Sequence, residues 1–301
     1  SAEPKFEYFN DQEVLILPST SGLYILKEGQ IIQHLYPGKE ISSFVLIPDQ
    51  DSDGNKDLVV SIKDELLPNV LCLSSRTGEI IWWFSPENNI FKKGFGWYNY
   101  QPEITNIIYS FENKKQYLYI VAGHSLYKLS ASDGSLVWEH SASSKIISSA
   151  SISDLNGDMF SELCFINQLG EMVGVDGRIG EEMWRKNSGL FSKNKVLNFE
   201  KKEVFFSGQN IWVTHHGGFI SAHNPQNGDI IWQKKIALST DNGISDFEKK
   251  YSGDLDKDGY NDVVFSIKGI QQRIICLNGR NGDTKWEYEI RGSAQGSSAV
   301  V

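Results

Sequence analysis

Five times in this chain of 301 residues, an apolar run, a polar turn, a glycine and three further residues lead to a tryptophan. The tryptophans are Trp82, Trp138, Trp184, Trp232 and Trp286, each four residues after Gly78, Gly134, Gly180, Gly228 and Gly282. The segments around them are self-similar: LCLSSRTGEIIWW, YKLSASDGSLVWE, VGVDGRIGEEMWR, SAHNPQNGDIIWQ and ICLNGRNGDTKWE. A degenerate copy, YILKEGQIIQH, precedes them with Gln33 in the tryptophan position. Spacings of 56, 46, 48 and 54 residues mark a repeat architecture. With several short strands per period, the unit is a propeller blade.

Short runs rich in Val, Ile, Tyr, Phe and Trp, bounded by Gly, Asn, Asp and Ser clusters, read as strands throughout. No segment sustains the i, i+3, i+4, i+7 apolar pattern of a helix, so the fold is all-β. One blade reads as Ile146–Ile152, Glu162–Ile166, Glu171–Val175 and Glu182–Trp184. A lone blade cannot bury both faces, so blades must stack, and the tryptophans are expected to fill the wedges between them. Repeats end near residues 35, 84, 140, 186, 235 and 290. Residues 297–301, Ser-Ser-Ala-Val-Val, match the strand that opens a blade elsewhere, such as Ser148–Ile152. Either that strand closes the ring against the first blade, or the chain is a fragment of a longer one. The expectation is a single domain over 1–301, a β-propeller of six to seven four-stranded blades.

A second pattern interleaves with the first. Asp49-Gln-Asp51-Ser-Asp53-Gly54-Asn55-Lys-Asp57, Asp154-Leu-Asn156-Gly157-Asp158-Met159-Phe160-Ser-Glu162 and Asp254-Leu-Asp256-Lys-Asp258-Gly259-Tyr260-Asn-Asp262 place oxygen side chains at positions 1, 3, 5 and 9. A hard cation such as Ca²⁺ takes six to eight oxygens, and this spacing wraps a tight loop around one. Position 7, held by Asn55, Phe160 and Tyr260, would add a backbone carbonyl. Glycine at position 6 allows the sharp turn in the first and third loops. Met159 stands there in the second, where weaker binding is expected. An EF-hand is excluded, because that motif needs twelve residues and flanking helices, whereas each loop here runs into an apolar strand. The loops fall only in the second, fourth and sixth repeats. The third and fifth carry short polar turns instead, at Glu112-Asn113-Lys114-Lys115 and Glu200-Lys201-Lys202, and the first has Asn10-Asp11-Gln12.

The LSSRTGEIIWW type of segment resembles the blade repeat of quinoprotein-like β-propellers. The DLDKDGYNDVVF type resembles the FG-GAP calcium loop of integrin-α propellers. The resemblance runs from about Val14 to Val301 and implies a fold more than a function, since this architecture hosts enzymes, scaffolds, lectins and adhesion receptors alike. Quinoprotein dehydrogenases resemble longer, eight-bladed chains with a vicinal cysteine pair over the cofactor. Here Cys72, Cys164 and Cys276 are all separate. Neither Gly-x-Ser-x-Gly nor His-Glu-x-x-His occurs. A non-catalytic chain is therefore expected.

The formal charge of −9 argues against nucleic acid as a partner. Eleven of the 38 acidic residues lie in the three loops, so without cations the loops should repel themselves. The cysteines sit in apolar strand contexts as small hydrophobes, and no disulfide is expected. No run of eighteen apolar residues and no signal peptide is visible. Loops of this kind stay filled where free calcium is high, which points to an extracellular, cell-surface, periplasmic or secretory-lumenal protein. The absence of any Asn-x-Ser/Thr sequon among twenty asparagines fits a bacterial origin.

The most unusual non-repeat segment is 91–102, which carries Phe95, Trp97, Tyr98 and Tyr100 beside Lys92 and Lys93. Aromatics on a loop of a rigid scaffold are how partner sites are commonly built. His215, His216 and His223 invite a zinc reading, but consecutive histidines on a strand point to opposite faces. The segment Ile211–Phe219 reads as a hairpin turning at Gly217-Gly218. The expected function is a calcium-stabilised module that binds a protein partner. A carbohydrate-binding or carbohydrate-active propeller is the alternative.

Overall fold

The computed structural model describes residues 4–9, 12–63, 69–86, 91–93, 96–98, 102–148, 150–187, 204–207, 210–215, 219–236, 246–268 and 272–290. Its contacts divide the chain into two compact units, Ser1–Lys145 and Ile146–Val301.

The first unit holds three four-stranded sheets. The first sheet is β1 (Lys5–Phe9), β2 (Gln12–Ser19), β3 (Gly22–Lys27) and β4 (Gln30–Leu35). The second is β5 (Glu40–Ile47), β6 (Asp57–Lys63), β7 (Val70–Leu73) and β8 (Ile80–Phe84). A two-stranded ribbon, β9 (Phe91–Lys93) and β10 (Gly96–Tyr98), follows. The third sheet is β11 (Ile104–Glu112), β12 (Lys115–Ala122), β13 (Ser125–Ser130) and β14 (Leu136–Ser141).

The second unit repeats the plan. Its first sheet is β15 (Ser151–Ser153), β16 (Glu162–Ile166), β17 (Glu171–Val175) and β18 (Glu182–Asn187), with a lone bridge from Ile146 to Asn167 ahead of β15. The next is β19 (Val204–Ser207), β20 (Asn210–His215), β21 (Phe219–His223) and β22 (Ile230–Lys235). The last is β23 (Asp246–Gly253), β24 (Asp262–Lys268), β25 (Gln272–Leu277) and β26 (Thr284–Ile290). All six sheets are antiparallel meanders in sequence order, the blades of a β-propeller. No helix occurs among the described residues.

The cores lie between sheets. On β6, Leu58, Val60 and Ile62 join Val14, Ile16, Leu23 and Ile25 of the first sheet, whereas Val59 joins Ile107, Leu118 and Ile120 of the third. Strand alternation sends neighbouring residues to opposite faces, so a strand buried on both sides reads as an unbroken apolar run. In the second unit, Cys164, Ile166, Met172 and Trp184 meet Ile211 of the next sheet. Ile220 and Trp232 likewise meet Val263, Phe265 and Ile275.

Three of the repeated tryptophans join one blade to the next within a unit. The Trp82 indole N–H donates to the Ala131 carbonyl at 3.0 Å, Trp184 to Pro225 at 2.9 Å and Trp232 to Gly279 at 3.1 Å. Each acceptor lies in the turn before the last strand of the following blade, and each indole lies on that turn's glycine. A Cβ on Gly134 would stand 2.6 Å from Trp82 Cε3, on Gly228 2.6 Å from Trp184 Cε3, and on Gly282 2.5 Å from Trp232 Cε3. These glycines also have φ between 70° and 77°, the left-handed region that favours glycine. Two independent demands therefore fix the residue. Burying an indole of roughly 200 Å² at about 25 cal/mol per Å² contributes on the order of 5 kcal/mol per junction before entropy. Trp82, Trp138 and Trp184 are buried and Trp232 half-buried, while Trp286, on the last described strand, is 45% exposed.

Opposite the tryptophans on the neighbouring strand stand Cys72, Lys128, Gly174, Ala222 and Cys276. Four of the five are small. A Cβ on Gly174 would meet the Trp184 ring at 2.3 Å, so small size here makes room for the indole. The matching positions of Cys72 and Cys276 have this packing cause. All three cysteines are free and buried, and burial pushes each thiol up, Cys276 to about 11.

Strand readings shift in two blades: the fourth opens with Ser151–Ser153 in place of Ile146–Ile152 and closes with Glu182–Asn187 in place of Glu182–Trp184. The first connection of the fifth blade is 208–209, not Glu200-Lys201-Lys202, because Ser207 pairs with Asn210. The apolar Val204-Phe205-Phe206 forms the opening strand. Glu112-Asn113-Lys114-Lys115 is the short polar turn expected, and it closes as a two-residue hairpin with Asn113 and Lys114 both at positive φ. Asn10-Asp11, Gly217-Gly218 and 297–301 lie outside the described residues.

Candidate functional site

The three acidic loops join the first and second strands of their blades, β5–β6, β15–β16 and β23–β24. Their internal hydrogen bonds superimpose. The position-1 carboxylate accepts the position-6 N–H: Asp49 from Gly54 at 2.8 Å, Asp154 from Met159 at 3.1 Å, Asp254 from Gly259 at 2.9 Å. Position 3 accepts from the backbone N–H of position 5: Asp51 from Asp53 at 3.1 Å, Asn156 from Asp158 at 2.8 Å and Asp256 from Asp258 at 3.3 Å. Position 5 accepts from position 7, where Asn55, Phe160 and Tyr260 donate to Asp53, Asp158 and Asp258 at 2.8–2.9 Å. Position 9 opens the second strand and reaches back to position 2. There Asp57 accepts from Gln50 at 2.6 Å, Glu162 from Leu155 at 2.7 Å and Asp262 from Leu255 at 3.1 Å.

The loop needs two left-handed residues, and the sequence reading found only one. Gly54 and Gly259 take φ of 91° and 89° at position 6, and Met159 is held at 70° in the same place. Position 4 is left-handed too, at Ser52 (65°), Gly157 (78°) and Lys257 (62°). Loop 154–162 thus carries its glycine at the other left-handed position. Met159 bears a steric cost of about 1 kcal/mol for a conformation glycine adopts freely.

The position-9 acids are buried: Asp57 and Asp262 are 0% exposed and Glu162 is 2%. Burial first, and then the charges of Asp51 and Asp49, hold the Asp57 carboxyl above its ordinary range against the bond from Gln50. Burial, then Asp158 and Asp154, do the same to Glu162. A buried carboxylate among like charges calls for a cation. Oxygens of Asp49, Asp51 and Asp53 lie within 4.8 Å of one another, as do those of Asp254, Asp256 and Asp262. The acids of loop 154–162 form no such group among the described residues. Its Asn156 turns an amide N–H toward Glu162 at 3.0 Å.

The third loop holds a feature that motif reading missed. Lys285 Nζ lies 2.6 Å from Asp256 Oδ2 and 2.6 Å from Asp262 Oδ2. Burial works against that ammonium, but its bonds to the two carboxylates push its pKa up, and Lys285 in turn leads the causes holding Asp256 below the usual range. The sequence signal was there: Lys285 stands one residue before Trp286, where the other tryptophan repeats have Ile81, Val137, Met183 and Ile231.

Of the aromatic candidates, Trp97 and Tyr98 lie on β10, which pairs with β9 in the register Gly96–Lys93, Trp97–Lys92 and Tyr98–Phe91. Phe95 and Tyr100 lie outside the described residues. His223 is structural. Its Nδ1–H donates to the Gly228 carbonyl at 3.1 Å, so Nε2 accepts the Ser221 hydroxyl at 2.8 Å. His215 ends β20, and His216 lies outside the described residues.

No helix among the described residues is long and apolar enough to cross a membrane. No curated relative matches the chain. Among solved structures, it is similar to BamB from Moraxella catarrhalis at 19% identity and TM-score 0.43, covering 64% of this chain. It spans 50% of that BamB chain, about half its length. It is similar to BBS1N in complex with ARL6DN at 9% identity and TM-score 0.61, covering 95% of this chain and 81% of that one. It is also similar to KlHsv2 with loop 6CD replaced by a Gly-Ser linker, at 11% identity and TM-score 0.55, covering 96% and 81%. The last two likenesses bear on the fold alone. Residues 68–300, well over half of the chain, match the PQQ_2 family model, described as outer membrane protein assembly factor BamB, and the chain belongs to that family.

Proposed function

We propose that this protein is a non-catalytic propeller that binds a protein partner within an assembly at the bacterial envelope, its loops rigidified by Ca²⁺. The observation that carries the reading is the family match over residues 68–300. The description of that family as an outer membrane assembly factor favours the periplasm among calcium-rich compartments. The BBS1N propeller bound to ARL6DN is a fold-level precedent for protein binding. Calcium rests on the loops themselves: repeated oxygen spacing, a shared set of internal bonds, and in the first two loops the buried acids Asp57 and Glu162, held above their ordinary range first by burial and then by neighbouring like charges. Asp49, Asp51, Asp53, Asp57 and the Asn55 carbonyl would hold an ion in loop 49–57. Its role is to neutralise and stiffen, because ligation to the folded state alone raises stability by mass action. The ribbon with Trp97 and Tyr98, flanked by Phe95 and Tyr100, is the first candidate for partner contact.

Two measurements test this. Thermal melting in calcium and after EGTA, with metal content by mass spectrometry, should show a clear drop in Tm on chelation. An unchanged Tm with no bound metal would refute the calcium part. A photo-crosslinker at position 97, activated in the native host, should give one discrete adduct with an envelope protein. Adducts no different from those at a control position on β14 would refute the partner site.

A further inference from the structure

Every blade carries a β-bulge at the residue before its tryptophan position. Pairing between the third and fourth strands skips Ile32, Ile81, Val137, Met183, Ile231 and Lys285 in turn. A bulge leaves its extra residue unpaired and re-aims the side chain. Five of these residues are apolar. The sixth is a lysine, and it sits in the blade whose loop gathers Asp254, Asp256 and Asp262.

We propose that Lys285 is the resident cation of loop 254–262, so that this loop keeps its shape without a divalent ion while loop 49–57 requires one. This rests on the reading of the acidic loops as cation sites. The ammonium lies 2.6 Å from one oxygen of each of Asp256 and Asp262, bridging the first strand-connecting turn to the buried position-9 acid. Asn278 Nδ2 adds donors at 3.3 Å to Asp256 and 3.2 Å to Asp258. In the second blade the bulge residue is Ile81, and no lysine or arginine pairs with Asp49, Asp51, Asp53 or Asp57 among the described residues. The matching turn residue there, Ser74, offers one hydroxyl to Asp53 at 3.4 Å. Two loops with one backbone geometry thus differ in the source of their positive charge. The protein would hold one part of its loop set constitutively and make another depend on calcium.

The experiment counts bound calcium and follows melting of the full chain in calcium and in EGTA, for wild type, Asp49→Asn, Asp254→Asn, Lys285→Met and Lys285→Arg. The expected pattern is one ion lost in Asp49→Asn, none lost in Asp254→Asn, and one gained in Lys285→Met. In EGTA, Lys285→Met should melt below wild type, whereas Lys285→Arg should match it. Loss of an ion in Asp254→Asn overturns the proposal. So does a Lys285→Met protein that neither gains an ion nor melts lower. If no variant binds calcium, the calcium reading fails by itself, and the melting of Lys285→Met in EGTA still decides whether the ammonium holds the loop. If Lys285→Met does not fold, the Asp254→Asn ion count and the melting of Lys285→Arg decide instead: an ion lost or a lowered Tm overturns the proposal.

Discussion

Gly134→Ala isolates the contact that joins one blade to the next. The added methyl carbon would lie 2.6 Å from Trp82 Cε3 and 3.0 Å from Cδ2, well inside van der Waals contact. Gly134 also has φ of 70°, which costs an alanine about 1–2 kcal/mol, offset in part by about 0.5–1 kcal/mol from the stiffer unfolded chain. Forcing a methyl against a packed ring adds about 1–3 kcal/mol. The single substitution should therefore cost about 2–4 kcal/mol. In a Trp82→Leu background the clash is largely removed, and the same substitution should cost only the backbone part, about 1 kcal/mol. The difference is a coupling energy of about 1–3 kcal/mol, measurable by a double-mutant cycle in urea followed by far-UV circular dichroism. Trp82→Leu itself loses the indole and strands the Ala131 carbonyl, which Trp82 bonds at 3.0 Å. Equal costs for Gly134→Ala in the two backgrounds would show that the glycine serves only the turn, and the account of the blade junction would be wrong.

Three further outcomes are expected. Lys128 and Glu112 form a 2.7 Å ion pair with side chains 1% and 2% exposed, so Lys128→Met should cost about 3–5 kcal/mol by leaving a buried charge. Lys128→Met with Glu112→Gln should recover most of it, and a small cost for the single change in urea unfolding would contradict the reading. His223 is held below its ordinary pKa of 6.5, first by burial, so the unfolded chain binds the proton more readily. Stability should therefore be full above about pH 6.5 and be lost as pH falls below it, a dependence that disappears in His223→Gln if the assignment is right. Met159→Gly relieves a residue held at φ 70° with its side chain 60% exposed and should raise stability by about 0.5 kcal/mol once chain entropy is counted; a lower Tm would refute the reading of position 6 as a strained left-handed site.

Much of the fold was legible because repeats write their constraints locally. Glu162–Ile166 and Glu171–Val175 were placed to the residue, since turn chemistry on both sides bounds each run. The opening strand of that blade was read as Ile146–Ile152 and is Ser151–Ser153 with one isolated bridge. Apolar composition said nothing about where pairing begins. The fifth blade slipped for the same reason: Val204-Phe205-Phe206 suits a first or a second strand equally well, and only the pairing of Ser207 with Asn210 decides. Met159 was recognised as out of place, yet the compensating glycine at position 157 was not, because its meaning depends on a left-handed position 4 that only backbone angles reveal.

By itself the sequence determined the blade period, the tryptophan junctions and the oxygen positions of the loops. The glycine-to-tryptophan interval and the loop oxygens are set within a dozen residues, where backbone geometry translates directly into pattern, and their recurrence every 46–56 residues gives the period. Tertiary structure alone decided which side chains face each loop's carboxylates and why the residue opposite a tryptophan is small. Those answers come from partners on adjacent strands. Lys285 reaches Asp262 across 23 residues of sequence, and it does so because a bulge turns a position that is apolar in the other blades toward a buried carboxylate.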